Sequence, residues 1–462
     1  MMTRAADVAT MKPHLELLVL CTYHPLSPDE QQRVRDLSAQ TTDWDTFASL
    51  AELNKVEPKV CLALQQCGAL ERVPEPTRAR LLQTADAVRL ANEQRVERAR
   101  AVFTVLAERG VPVCVLKGVL FAHTVYGTPG YKRMNDVDFL VPRERIAGLP
   151  EVFEGLGYFA LAERVGKRAD VQLEVSHHLP PFVSRDLRCV LGAQWGLKSP
   201  LLGLQIDYPA MWSRALPLDF HGVPLQQLSP ADNLFHLCIH LGFFKSGLRD
   251  VMDLYNLARS AGAALDYALF ARLIRDAGAW DLAYHALSLA QALCPQPGFA
   301  QVLRELEPHV SRFMRETVER KTLSLELQLQ LCTGYLSVIE KAIADFNASG
   351  AAAEKLEGFA KFWKLVLLPE PDEARRLCFT PQPTELEQLT IPVRAPIAIL
   401  RAIAREIGPG LLALLLLKGV LDTALTALDP RAWTPKERGL AAFANRHGLS
   451  LDDLQRLKNS IY

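Results

Sequence analysis

A change of hydrophobic period at Gly110 constrains this chain more than any other feature. Before it, apolar residues recur at helical spacing. "SPDEQQRVRDLSAQ" (27–40) opens on a Ser cap with an acidic first turn, and "DWDTFASLAELNKV" (43–56) repeats the pattern. "ARLLQTADAVRLANEQRVERARAVFTVLAERG" (79–110) reads as a long amphipathic helix with Gly110 at its C-cap. Directly afterwards "VPVCVL" (111–116) is β-branched and continuously apolar, the pattern of a buried strand. "VLFAHTVY" (119–126) returns to helix, "GTPG" (127–130) is turn chemistry, and "VDFLV" (137–141) is a second strand ended by Pro142. "ADVQLEVSHH" (169–178) and "RCVLGAQWGL" (188–197) also carry strand character.

From Ser229 the helical period resumes, "SPADNLFHLCIHLGFF" opening on Ser-Pro, and it continues to about residue 345. The stretch 346–397 ("NASGAAAEK", "LLPEPDE", "FTPQPTE") reads as connections among short elements. The tail "TPKERGLAAFANRHGLSLDDLQRL" holds two short helices around "HGLS", a loose helix-turn-helix likeness. The expected class is α+β and predominantly helical. A helical region (1–109) precedes a small mixed-sheet α/β core (110–228). A helical domain (229–345) and a mainly helical C-terminal region (346–462) follow.

Charge and cysteine usage narrow the function classes. With 52 basic and 52 acidic residues the net charge is zero, so no global field exists to hold long nucleic acid. The nine cysteines are scattered and form no C-x-x-C pair, which reads as reduced, buried thiols in a cytoplasmic protein. "LELLVLC" (15–21) is short and contains Glu16, a helix rather than a secretion signal. "GPGLLALLLLKGVL" (408–421) is too short before Lys418 to span a bilayer and reads as a buried helix.

The chemistry concentrates in "YKRMNDVDFLV" (131–141). Strand alternation puts Asp136 and Asp138 on one face, about 6–7 Å apart, where two like charges need a counter-charge. A lone D-x-D is most often a solvated strand entrance, and a lone K-G an ordinary turn. Here a strand ending in Lys117-Gly118, a helix, Arg133 and Asp136-x-Asp138 fall in order within 25 residues. Mg2+ (or Mn2+) takes carboxylate oxygens together with phosphate oxygens, which gives the aspartates a reason to converge. Gly118 lets a triphosphate approach the backbone at a helix N-terminus, and Lys117 and Arg133 supply cations for its oxygens.

"VCVLKGVLFAHTVYGTPGYKRMNDVDFLV" resembles the signature block of the bacterial uncharacterised nucleotidyltransferase family, within the DNA polymerase β-like nucleotidyltransferase superfamily. The likeness extends to "DWDTFASLAELNKVEPKV" upstream, and to "MWSRALPLDFHGVPLQQLSPADNLFHLCIHL" and "LRDVMDLYNLA" downstream, over roughly residues 15–390. The resemblance implies a minimal nucleotidyltransferase core that moves a nucleoside monophosphate from an NTP to an acceptor. Asp136 and Asp138 match the metal pair, Lys117 and Gly118 the phosphate-facing turn, and Arg133 the basic residue before the pair. The acceptor could be a small molecule, a peptide or a protein.

The family usually adds a third carboxylate in a stretch like Glu-Leu-His-Trp. Here "GAQW" (192–195) puts Gly192 at the acidic position and Gln194 at the histidine. Three readings stay open: Glu174 or Asp207 supplies the acid, the site binds nucleotide with weakened catalysis, or the strand is misaligned. The middle reading makes the protein a nucleotide- or protein-binding regulatory module.

Other groups read more plainly. His236 and His240 lie four apart on a helix, but no Glu follows His236 as in zinc proteases. Bracing of the helical domain against the core is the stronger expectation for His240 and Asp253. His177 and His178 could line the site or pack. "GTPGYK" has the wrong spacing for a phosphate-binding Walker loop. Trp195 and Trp212 read as core.

Overall fold

In the computed structural model, the described residues are 11–160, 176–198, 203–242, 247–323 and 384–407, with a few isolated positions beside them. The mixed α+β class is borne out: helices dominate around one seven-stranded sheet. The N-terminal helices are α1 (Pro13–Leu20), α2 (Pro28–Gln40), α3 (Trp44–Leu53), α4 (Glu57–Gln66) and α5 (Glu75–Glu108). In α2 the Ser27 and Glu30 side chains cap one another's backbone N–H groups, so the sequence signal there acts as read. The long helix α5 begins at Glu75, four residues earlier than its apolar period suggests. Pro76 sits in its first turn, where no N–H is needed.

Strands β1 (Cys114–Val115), β2 (Val137–Leu140), β3 (Tyr158–Ala160), β4 (Phe182–Ser184), β5 (Val190–Gln194), β6 (Leu216–Phe220) and β7 (Val223–Gln227) form the order β3-β4-β5-β2-β1-β7-β6. The β1–β2 pair is antiparallel, and both strands then pair in parallel with an outer neighbour, β2 with β5 and β1 with β7. Between β1 and β2 lies α6 (Lys117–Thr124); α7 (Leu149–Gly155) follows β2, and α8 (Tyr208–Ser213) precedes β6.

Helix α5 covers one face of this sheet. Phe103 meets Phe139 of β2 and Phe220 of β6 edge-on at 5.3 and 5.4 Å between ring centroids. Phe153 of α7 continues the aromatic layer to Phe139 and Phe182. Because strand residues alternate, Phe139 in this layer leaves Asp138 facing the other way. The helical domain comprises α9 (Pro230–Leu241), α10 (Leu248–Ala261), α11 (Tyr267–Ala277), α12 (Trp280–Leu293), α13 (Pro297–Leu306) and α14 (Arg312–Leu323). Its apolar residues join those of the sheet and the N-terminal helices in one continuous core.

Two expectations need correction. The stretch 346–397 reads in sequence as connections, yet α15 spans Glu385–Ile407 with Pro392 and Pro396 inside it. The missed signal is a capping box. Glu387 accepts from the Thr384 backbone N–H at 2.9 Å, while Thr384 Oγ1 accepts from the Glu387 N–H. Buried Ile391 and Ala395, four apart, then hold the helix through both prolines. The first strand is also shorter than "VPVCVL", because β1 keeps only Cys114 and Val115 in the ladder. The seven described cysteines are all free and buried, and no helix among the described residues is long and apolar enough to cross a membrane. Glu174 and most of the tail, including the helix-turn-helix likeness, lie outside the described residues.

Candidate functional site

The site is assembled by sheet register. Cys114 pairs with Leu140 and Val115 with Phe139, so the next residue of β1's chain, Leu116, donates its N–H to the Asp138 carbonyl at 3.0 Å. Lys117 follows at once, at the first position of α6, with a positive φ of 45°. That left-handed conformation is costly for a residue with a Cβ and turns the chain sharply from strand to helix. The lysine Nζ lands 2.9 Å from Asp138 Oδ2. The two side chains are only 15% and 11% exposed, so this is a largely desolvated ion pair.

Gly118 has two jobs. Its carbonyl accepts from the Tyr131 hydroxyl at 3.1 Å, which ties the turn to the segment leading into β2. A Cβ at Gly118 would also stand 3.2 Å from Met134 Cγ and Sδ, so its small size serves packing as well as any ligand. That segment is anchored from α5, where the Asn92 amide donates to the Pro129 and Lys132 carbonyls at 2.6 and 2.7 Å.

On the other side of β2, the parallel register sets Gly192 of β5 directly beside Asp138. Gly192, the residue that the resemblance sets at the acidic position, therefore faces the second aspartate with no side chain. A Cβ at 192 would lie 2.3 Å from Asp138 Oδ1. The carboxylate thus occupies the room that a side chain would need. Two residues on, Gln194 points from the same face and its Nε2 donates to Asp138 Oδ1 at 2.8 Å. Gly192→Ala should force Asp138 to rotate and break its bonds to Lys117 and Gln194. We expect a loss of about 1–3 kcal/mol of stability, read as a lower urea midpoint.

The remaining predicted residues are spread more widely. Asp136 lies half-buried just before β2, within electrostatic reach of Arg95 of α5. Burial pushes the Arg95 guanidinium down, and Asp136 offsets part of that. Arg133 turns to α4, its Nη2 3.1 Å from Glu57 Oε1. Burial raises the Glu57 carboxyl above its ordinary range, and Arg133 works against the rise. Asp207 is exposed and caps α8, accepting from the Ala210 N–H at 3.0 Å.

Histidines and a second lysine complete the surroundings of Lys117. The chain at His178 bridges to Gln194, and the Trp195 N–H donates to the His177 carbonyl at 2.9 Å. This brings His177 within electrostatic reach of Lys117, Lys198 and Asp138; burial holds its imidazole down, at about 4. His236 of α9 is 1% exposed, and its Nε2 has no hydrogen-bond partner among the described residues. Burial, then Lys117, Lys198 and His177, keep it well below the usual histidine range. Lys117 is thus the cation paired directly with Asp138, and the two histidines nearby are held below the usual histidine range. Sequence reasoning missed Arg95, Lys198 and the donor role of Gln194. Arg95 is one of many arginines on an amphipathic helix, so nothing local marks it. His236 and Asp253 fall into different roles: Asp253 of α10 accepts from Tyr126 at 2.8 Å and pairs with Lys132, bracing the helical domain on the core.

A strand–turn–helix delivers Lys117-Gly118 beside the second aspartate of a D-x-D strand. Residues 40–295, more than half of the chain, match the family described as uncharacterised nucleotidyltransferase, and the chain belongs to that family. No curated protein matches it.

The donor set tests which cation chemistry the site can support. Among the described residues no group of three or more His, Cys, Asp or Glu side chains is placed to hold a metal ion. Both oxygens of Asp138 already accept from Lys117 and Gln194. Such a set does not fit a metal cage made by protein alone. A magnesium ion that arrives on a triphosphate asks less of the protein, one or two carboxylates.

Proposed function

We propose that this protein binds a nucleoside triphosphate at the β1–α6 turn and transfers its nucleoside monophosphate to an acceptor hydroxyl or phosphate. The observation that carries this reading is the setting of Asp138, a buried carboxylate beside the Lys117 ammonium at the mouth of α6. Asp136 and Asp138 are the residues to hold Mg2+ or Mn2+. Once bound with the nucleotide, that ion would neutralise charge building on the departing pyrophosphate. Lys117 stabilises phosphate oxygens through its ammonium, and the free N–H groups at the start of α6 add donors. Lys198, within electrostatic reach of His177 as Lys117 is, would add a second ammonium near the phosphate chain, while His177, held down at about 4, stays neutral. The balanced net charge favours a small molecule, peptide or protein acceptor over nucleic acid. Free buried cysteines suit the cytoplasm as the place of action.

Gly192 favours a second reading, in which the site binds nucleotide for regulation without turnover. Glycine has no carboxylate to contribute opposite Asp138.

The test incubates the protein with each labelled NTP, Mg2+ or Mn2+, and fractions of a lysate, following label and pyrophosphate. Transfer predicts pyrophosphate release in the wild type and a loss of about 100-fold or more in Asp136→Ala. Undiminished release in that variant would sink the assignment. Nucleotide binding with no release in any fraction would establish the regulatory reading.

A further inference from the structure

We propose that Lys117 is the resting cation of this site: it holds Asp138 in the free protein, and divalent metal gains Asp138 only when the anionic oxygens of a triphosphate draw the ammonium away. The inference rests on the reading of the site as nucleotide-binding and adds an order to it, with metal and nucleotide binding coupled through one side chain.

Three observations carry it. First, the Lys117 Nζ lies 2.9 Å from Asp138 Oδ2 and the Gln194 Nε2 lies 2.8 Å from Asp138 Oδ1, so each oxygen already has a donor. An approaching dication meets a positive charge and an amide N–H where it needs lone pairs. Second, the carboxylate rests over Gly192, within 2.3 Å of where a Cβ would be. Any larger residue there would exclude this resting position, so the glycine that removes an acid also permits the Lys117–Gln194 clamp. Third, Lys117 adopts a φ of 45°, a conformation disfavoured for lysine, at the first position of α6. That backbone fixes the lysine at the start of α6 with its ammonium on Asp138, and its long, flexible side chain lets the ammonium trade one anion for another without the turn moving. Lys117 acts here as a positioning residue, deciding when Asp138 is free.

The experiment measures Mn2+ binding to the nucleotide-free protein by the spin-resonance signal of free Mn2+. Lys117→Asn removes the ammonium while keeping a residue that tolerates the left-handed backbone. Nucleotide-free Mn2+ binding should tighten about tenfold or more in this variant, since the competing cation is gone. Adding Asp138→Asn should abolish the gain, and Lys117→Arg, which keeps the cation, should behave as wild type. Equal Mn2+ affinity in wild type and Lys117→Asn, or a gain that survives Asp138→Asn, overturns the proposal. Stoichiometric tight Mn2+ binding by the nucleotide-free wild type overturns it without any variant. Failure of the function reading looks different: if no NTP binds or turns over but the Lys117→Asn gain appears, the clamp stands and the transferase reading falls.

Discussion

Asp138→Ala should lower the stability of the protein by about 3–5 kcal/mol, as well as stop any chemistry. The reason is what the substitution strands. Lys117 would keep a charge in a position only 15% exposed, and the Gln194 amide would lose its acceptor. Breaking one side of a buried pair costs more than the pair contributed, because the remaining charge is unsolvated. Asp138→Asn separates the two effects. It keeps an acceptor for one of the two donors, so the denaturation midpoint should recover in part. Pyrophosphate release should stay abolished, since a neutral amide is a poor ligand for magnesium. Equal urea midpoints for wild type and Asp138→Ala would show that the Lys117 contact contributes nothing to the fold.

Asp253→Ala should be as damaging, at a place with no part in the chemistry. Asp253 of α10 pairs with Lys132, their side chains 5% and 13% exposed, and accepts from the Tyr126 hydroxyl at 2.8 Å. Tyr126 stacks on Tyr131 at 4.0 Å between centroids and also accepts from the Asn256 amide at 3.1 Å. Burial and Asp253 together raise the Tyr126 phenol far above its ordinary value, so it remains a neutral donor. One carboxylate therefore joins the segment before β2 to the helical domain. Its removal leaves a largely buried ammonium unpaired, at about 3–5 kcal/mol. Asp253→Asn should recover part of the loss, read by chemical denaturation. Because Tyr131 also holds the Gly118 carbonyl, loosening here should weaken nucleotide binding without touching Asp138.

Much of this was readable from residue order alone. The helical period up to Gly110, the strands around "VDFLV" and the cap at Ser27 are local signals, set by side-chain spacing and the backbone's own hydrogen bonds. So was the pairing of Lys117-Gly118 with a D-x-D strand, because short loops bring consecutive elements together. Helix α15 shows the limit of reading composition: the stretches rich in Gly, Ala and Pro across 346–397 suggested connections, while Thr384 and Glu387 held the stronger signal.

The partners of each charge were a different matter. Arg133 looked like a phosphate ligand and pairs with Glu57; Asp207 looked like a spare acid and caps α8. Arg95 reaches Asp136 from a helix 41 positions earlier in the chain, and His236 comes to Lys117 from one 119 positions later. Such pairings depend on sheet register and helix docking, which place residues together whatever their separation in sequence. The bare Gly192 was visible in the sequence as a missing acid. Only the parallel register of β2 and β5 set it against Asp138, where its absent side chain makes room for a carboxylate already claimed by Lys117 and Gln194.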